Sequence, residues 1–525
     1  MRLGRPSNPE ASDNRTKRET TVRWDWLLLL SAALTAPAAV LARSADTSAE
    51  ASAAANTLFW VEELATGLKN PASMVWLPDG RILIAERNGG VRIFRKGALL
   101  APISGTPASF QNLMNGLKEI VLDPDFTRNR TLYILLSEGD YNAHHAAVYR
   151  ARLEADRLVA VSRIYRSKDD IAGPMQIAGR MIVLNDGTLL IGVTDDNYHR
   201  QYPQLLTSDI GKMVRINRDG CIPADNPFRD RAGALPEIWA YGNRVNNGLF
   251  QDPVTGEIWG MEPGPKGGDE MNLLKRGGNF GWPVATWGFD YTDGSVGPHQ
   301  TVAGMESPLV VWTPSSTPAG MTRYSGHAYP GWDGDYFIGM LSGKRLERVR
   351  LANGAPVLQE RLLLDLDERI RDVRQGPDGL LYVLTDHHRG RLLRLVPGEP
   401  PRGAAIAHKL DQPNATPFEI GYGEPAKGEI AFRERCAACH SFGERIKGGN
   451  IGPDLASVAD RKAGSLPGFA YSAGMAALPQ NWNIVSLNLF LADPQGYVPG
   501  TTMAGPPVDD LAMRNDIVGF LTGAK

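Results

Sequence analysis

Only three cysteines occur in 525 residues, Cys221, Cys436 and Cys439. That excludes a disulfide-held scaffold, because two of them share one short motif and the third has no evident partner. Excess charge of either sign is also lacking: the formal net charge is −2. Nothing global therefore favours a nucleic acid or an anionic membrane as partner. No apolar run reaches the roughly 20 residues that a bilayer-spanning helix needs. Cys221 reads as a small turn or core residue.

Glycine, at 57, and proline, at 37, are plentiful. They favour many tight turns, hence β-structure, over long helices. A chain of this length holds two or more folded units. At the N-terminus, Arg15, Lys17, Arg18 and Arg23 precede an apolar run, 27–41, and Val40-Leu41-Ala42 offers a small-residue cleavage site. We expect residues 1–42 to be a signal peptide and 43–57, rich in Ala, Ser and Thr, a flexible leader. The protein would then be exported, to the periplasm in a bacterium. An uncleaved anchor with Trp24 and Trp26 at the interface is the alternative, and the only route to a membrane partner.

Cys436-Ala437-Ala438-Cys439-His440 carries the most specific chemistry. Its spacing puts two thiols on one helical turn, where they can add to the vinyl groups of haem, and aims His440 at the iron. A bare CxxC could equally be a redox dithiol or half a zinc site. The appended His, the lack of another Cys pair and the export signal favour covalent haem. From Gly428 and Phe432 through Gly452-Pro453-Asp454-Leu455, Arg461-Lys462, Tyr471 and Trp482 to 517–521, the segment resembles class I cytochromes c. The resemblance implies that the Pro453 carbonyl orients His440, that Trp482 contacts a haem propionate, and that Met503, in Tyr497-Val498-Pro499-Gly500-Thr501-Thr502-Met503, is the sixth ligand. Met475 and Met513 read as core residues.

A breaker cluster, Pro397-Gly398-Glu399-Pro400-Pro401, and a Pro- and Asn-rich stretch to Pro417 mark a linker at 398–420, ahead of a cytochrome domain at 421–525. Upstream, Asp-Gly followed by an alternating apolar strand recurs at Asp79-Gly80, Asp186-Gly187, Asp333-Gly334 and Asp378-Gly379. Repeated hairpins with period-two strands indicate blades. At roughly 40–50 residues per blade, residues 58–397 make a six-bladed β-propeller. A β-sandwich array is the competing architecture. The fold class expected is all-β propeller followed by a small all-α cytochrome c domain.

Propellers carry function on loops at the channel mouth. Candidate loops are Gly179-Arg180 with Asp195–His199, Tyr241–Arg244, Gly264–Glu270 and Arg369–Asp372. Convergence of Arg244, Arg369 and Arg371 would suit a polyanionic small ligand. Taken singly, each could be an ordinary salt bridge, with Asp365, Asp367 and Glu368 close by. With Leu122-Asp123-Pro124-Asp125-Phe126, Pro223–Phe228, Pro236-Glu237-Ile238-Trp239, Asn279–Pro283 and 370–386, these loops resemble the soluble PQQ-dependent glucose/sorbosone (aldose) dehydrogenases. The resemblance implies a pyrroloquinoline quinone (PQQ) clamped by Arg244, Arg369 and Arg371, and calcium on the carbonyls of Gly264 and Pro265. It also implies a His base supported by the Asp matching Asp195.

The chain departs from that pattern at the chemistry. Gln176 stands where the family has its His, and an amide is no general base near neutral pH. Val245 and Pro263 replace polar residues, and the family's cofactor-side Lys falls near Ser342, two residues from Lys344. A substitute base would be His199, His327 or Asp195. The expected activity is oxidation of an aldose or related polyol through PQQ, with electrons passing to haem c and on to an external cytochrome or quinone pool. A non-catalytic binding propeller fused to a cytochrome, or a calcium lactonase, are the alternatives.

Overall fold

The computed structural model describes residues 58–400 except 289, 292–295, 298 and 353, the backbone of 406–409 and 414–416, and 423–523 except 450, 460, 479, 480, 483, 493, 499, 504, 506 and 509. The expected signal peptide and leader, most of the linker and Pro499 lie outside these residues.

The Asp-Gly phrases are hairpin turns. Gly80 and Gly187 sit at φ +83° and +82°, a region that costs other residues a Cβ clash. The preceding Asp secures the turn: the Asp186 carboxylate accepts from the Thr188 amide at 2.8 Å. Strands such as Ile82–Glu86, Leu189–Val193 and Leu381–Thr385 are buried throughout, because each blade is covered by a neighbour on both faces.

Among the described residues these strands form six antiparallel sheets, which we number I to VI. Their innermost strands are Pro71–Trp76, Leu117–Leu122, Ala178–Val183, Gly248–Gln251, Pro318–Arg323 and Ile370–Gln375. The chain's first strand, Phe59–Leu68, is the fourth strand of blade VI, pairing with Gly390–Pro397 from Phe59↔Pro397 to Leu68↔Gly390. This closes the ring and removes the free edges between first and last blades.

Two strands from the linker add to the rim. Residues 406–409 pair with the first strand and 414–416 with Ala355–Leu362 of blade V. Beyond them the chain is helical: Pro425–Arg435, Ala473–Ala477, Ile484–Ala492, Pro494–Tyr497 and Leu511–Thr522. The first and last helices cross closely at Gly428, where a Cβ would meet the Asp516 carbonyl at 1.8 Å. Phe432, fully buried, packs on Phe520 with ring centroids 5.4 Å apart. Trp287 and Val311 of the propeller belong to the same apolar cluster as Phe432, Trp482 and Phe490. No described helix is long and apolar enough to cross a membrane.

Candidate active site at one mouth of the propeller

Strands alternate direction within a blade. The connections entering each inner strand therefore share a face with the loops between second and third strands. Gln176, Arg244, Arg369 and Arg371 lie on or beside the former; the 195–200, 264–268 and 341–344 loops are the latter. All belong to one mouth. His327 does not: its loop joins the first and second strands of blade V and opens at the opposite mouth. The expectation that it might serve as base is corrected on that ground.

Below this mouth the channel is plugged by Arg180. Its guanidinium donates to the carbonyls of Asn247 (2.8 Å), Ala72 (2.9 Å) and Arg371 (3.0 Å), and to Glu119 (3.0 Å) and Asp372 (3.1 Å). Those partners come from four other blades. The remaining blade contributes Gly320, where a Cβ would meet the Asp372 carboxylate at 2.0 Å and Arg180 at 3.0 Å. Arg374 also pairs with Asp372 (3.0 Å) and Glu119 (3.4 Å). Burial raises the Glu119 pKa, opposed by Arg180 and Arg374. A buried network of this kind holds its members to one geometry.

Above the plug, Arg87, Arg369 and Arg371 converge on one carboxylate. Asp386 accepts from Arg371 at 2.9 Å and Arg369 at 3.1 Å through one oxygen, and from Arg87 at 3.2 Å through the other. Despite burial, the three cations hold Asp386 well below the usual carboxylate range. Burial and the neighbouring Arg87 and Arg180 bring Arg371 down to about 10, against Asp386. Three guanidinium groups on one carboxylate leave excess positive charge facing the mouth. Of the sequence neighbours, Asp367 and Glu368 pair elsewhere, with Lys344 at 3.0 Å and with Arg391 at 2.6 Å. Asp386 is brought to the arginines by the register of the first two strands of blade VI.

Arg371 and Arg87 line a hollow with Ala72, Lys118, Gln176, Gly179, Arg180 and Asn247. Gln176 is buried. Its amide nitrogen donates to Asn247 at 3.2 Å and its oxygen accepts from Lys118 Nζ at 2.9 Å. Lys118 also donates to the Met114 carbonyl. Burial, with Arg87, Arg371 and Arg180 close by, lowers the Lys118 pKa well below its ordinary value.

A second hollow is lined by Arg244, Glu262, Pro263, Gly264, Gly268, Glu270, Phe280, Trp282, Ala285 and Thr286. Arg244 donates to the Pro263 carbonyl (2.7 Å) and the Tyr291 hydroxyl (3.1 Å), beside the Trp282 ring. Asp195 receives Trp282 Nε1 at 2.7 Å, and its backbone amide donates to the Arg244 carbonyl. Burial raises the Asp195 pKa. The loop from Gly264 is tightly folded: a Cβ at Gly264 would meet the Gly267 and Gly268 carbonyl oxygens at 2.0 and 2.7 Å. Burial lifts Glu262 to about 7 and Glu270 to about 8. These residues face each other across two strands.

His199 stands apart from both hollows. Its Nδ1 bonds Asp196 at 2.5 Å, its ring stacks on Tyr202, and its side chain is half exposed. Lys344 is likewise engaged, with Asp367. Cys221 is an exposed turn residue.

In the helical part, Cys436 caps the first helix and its carbonyl receives the amides of Cys439 (3.0 Å) and His440 (2.9 Å). His440 Nδ1 donates to the Pro453 carbonyl at 2.8 Å. This leaves Nε2 as the coordinating nitrogen. Gly452 lies against the ring, where a Cβ would meet Cε1 at 2.2 Å. Met475 is buried in the core, whereas Met503 is partly buried at its margin. Trp482 packs on Phe490, centroids 5.2 Å apart.

Sequence reasoning missed Arg87, Lys118 and Asp386 as members of the mouth. The signal for Arg87 was the strand 82–86, apolar to Ala85, whose continuation enters the same mouth.

The family model for glucose/sorbosone dehydrogenases matches residues 68–394. An aldose sugar dehydrogenase of Escherichia coli (strain K12) is 38% identical over 345 residues, covering 64% of this chain and 92% of that one. The crystal structure of the soluble aldose sugar dehydrogenase from Escherichia coli, in the apo-form, matches with TM-score 0.62 at 36% identity. That match covers 65% of this chain and the whole of the other. A cytochrome c of Stellaria longipes is 39% identical over 99 residues of the C-terminal part, 19% of this chain and 91% of that one.

Proposed function

Because the chain belongs to the glucose/sorbosone dehydrogenase family through its propeller, we propose that it is an exported, PQQ- and calcium-dependent aldose dehydrogenase. It passes electrons to a covalent haem in its own C-terminal part. The observation that carries this reading is the set of three guanidinium groups on the single carboxylate of Asp386. Such a cluster has charge to spare for a polycarboxylate. Buried Nε atoms of Arg87, Arg244 and Arg371 have no partner among the described residues, so the residues present fit an anionic quinone.

Arg87, Arg369 and Arg371 would hold carboxylates on one side and Arg244 on the other. PQQ bound there supplies the hydride acceptor for the sugar's C1–H. Calcium on the Gly264 and Pro265 carbonyls would suit a loop built from backbone oxygens beside buried Glu262 and partly buried Glu270. Trp282 and Tyr291 give the sugar apolar and hydroxyl contacts beside Arg244. Asp195 fixes Trp282 through its indole N–H, which makes it a positioning residue.

In the C-terminal part, Cys436 and Cys439 would attach haem and His440 would bind iron, with Met503 as second axial ligand. A thioether raises the iron potential, as an electron acceptor needs. The substrate class is an aldose or related polyol, and the final acceptor an external cytochrome or the quinone pool. Loading the full chain with PQQ and calcium and adding aldoses tests the reading. Reduced-haem absorbance should develop. A loaded protein whose haem stays oxidised across a broad sugar and alcohol panel would count against it.

A further inference from the structure

Gln176 leaves the mouth without the family's proton acceptor, yet a different amine reaches the same spot. We propose that Lys118 is the group that removes the proton from the sugar's C1 hydroxyl. The inference rests on the aldose dehydrogenase reading and supplies the residue that reading lacks.

Lys118 enters the mouth from blade II, at the start of its innermost strand. Its neighbour Glu119 is tied to Arg180 at the plug, so the lysine's backbone is fixed by the most constrained part of the molecule. The side chain is buried, and Nζ lies 2.9 Å from Gln176 Oε1. Gln176 and Lys118 line one hollow with Arg371 and Arg87, which would hold the quinone.

A neutral amine has two N–H donors and one lone pair. Both donors are used, by the Met114 carbonyl and Gln176 Oε1. A protonated amine would carry a third N–H and bury its charge among Arg87, Arg180 and Arg371. Asp386, the facing anion, is already shared by three guanidinium groups. Burial and these cations favour the neutral form, which is the form a base requires. Gln176 then acts as a positioning residue, clamped by Asn247 and accepting from Lys118 so that the lone pair is not spent on it.

The step balances. The C1–H bond breaks and its electron pair leaves as hydride to the quinone. The O1–H bond breaks and its proton goes to Nζ, forming an ammonium. The O1 electron pair closes the C1=O bond of a lactone. The ammonium later releases its proton to water.

The test uses the full chain with haem, loaded with PQQ and calcium, in four forms: wild type, Lys118→Met, Lys118→Ala and His199→Gln. Lys118→Met should keep PQQ affinity by calorimetry and lose haem reduction by aldose by about 10²–10⁴-fold. Adding a small primary amine to Lys118→Ala should restore part of the rate. A readout independent of turnover is the unfolding midpoint of the PQQ-free protein against pH. A lysine with a lowered folded pKa binds fewer protons folded than unfolded, between that pKa and about 10.5. Wild-type stability therefore rises with pH in that window, relative to Lys118→Met, and the gap between them closes. Near-wild-type haem reduction by Lys118→Met, or loss in His199→Gln alone, overturns the proposal. So does a gap that does not change with pH. If no form reduces haem although all bind PQQ, the aldose dehydrogenase reading fails, while the pH-dependent gap still reports on Lys118.

Discussion

Arg371 sits at the most charged point of the mouth, one guanidinium nitrogen bonded to Asp386 and its Nε without a partner among the described residues. Replacing it with Leu should weaken PQQ binding by about 30-fold or more, the usual loss when one member of a buried charge pair goes. Calorimetry on the haem-loaded chain checks this. Lysine in its place should rescue little, since a point charge lacks the planar fork. At the other redox centre, Met503→Ala should leave haem attached and lower its potential, read by redox titration; an unchanged potential would assign the ligand elsewhere. Arg244, Arg369 and Arg371 are visible in the sequence because they stand in loops dense with Gly, Asn and Asp, and a resemblance gives them a ligand. Arg87 and Lys118 are not, because a charged residue at the end of a strand looks like any solvated strand end. Only closure of the ring brings blades I and VI to the same carboxylate.

At the scale of elements, the blades were legible because each copies one phrase, a turn with Asp-Gly followed by an apolar strand. The count of six could only be inferred, since long insertions such as 275–309 obscure the spacing. The rim strands 406–409 and 414–416 were read as plain linker. Edge pairing is made by backbone groups and needs no apolar alternation, so no pattern announced it. The plug was equally hidden, because five hydrogen bonds from one arginine reach residues up to 192 positions away. Arg180→Met should cost about 3–5 kcal/mol, since Glu119 and Asp372 would lose a buried cation. Denaturant unfolding followed by tryptophan fluorescence measures it. A shift within error of wild type would show that Arg374 alone supports both carboxylates.

Over the whole molecule, the propeller mouth and the helical, cytochrome c-like part meet around Trp287. Its backbone lies against Gly268 of the candidate calcium loop, where a Cβ would meet the Trp287 carbonyl carbon at 2.4 Å, and its ring joins the apolar cluster of the helical part. A linked acceptor works at an effective concentration in roughly the millimolar range. Electrons leaving the sugar should therefore reach the chain's own haem before any other. The direct measurement is stopped-flow absorbance of the haem after an aldose is mixed with the PQQ- and calcium-loaded protein, over a wide range of protein concentrations. We predict reduction with a first-order rate constant that does not change with protein concentration. A rate that climbs in proportion to protein concentration, or an oxidised haem while the sugar is consumed, would contradict transfer within one chain.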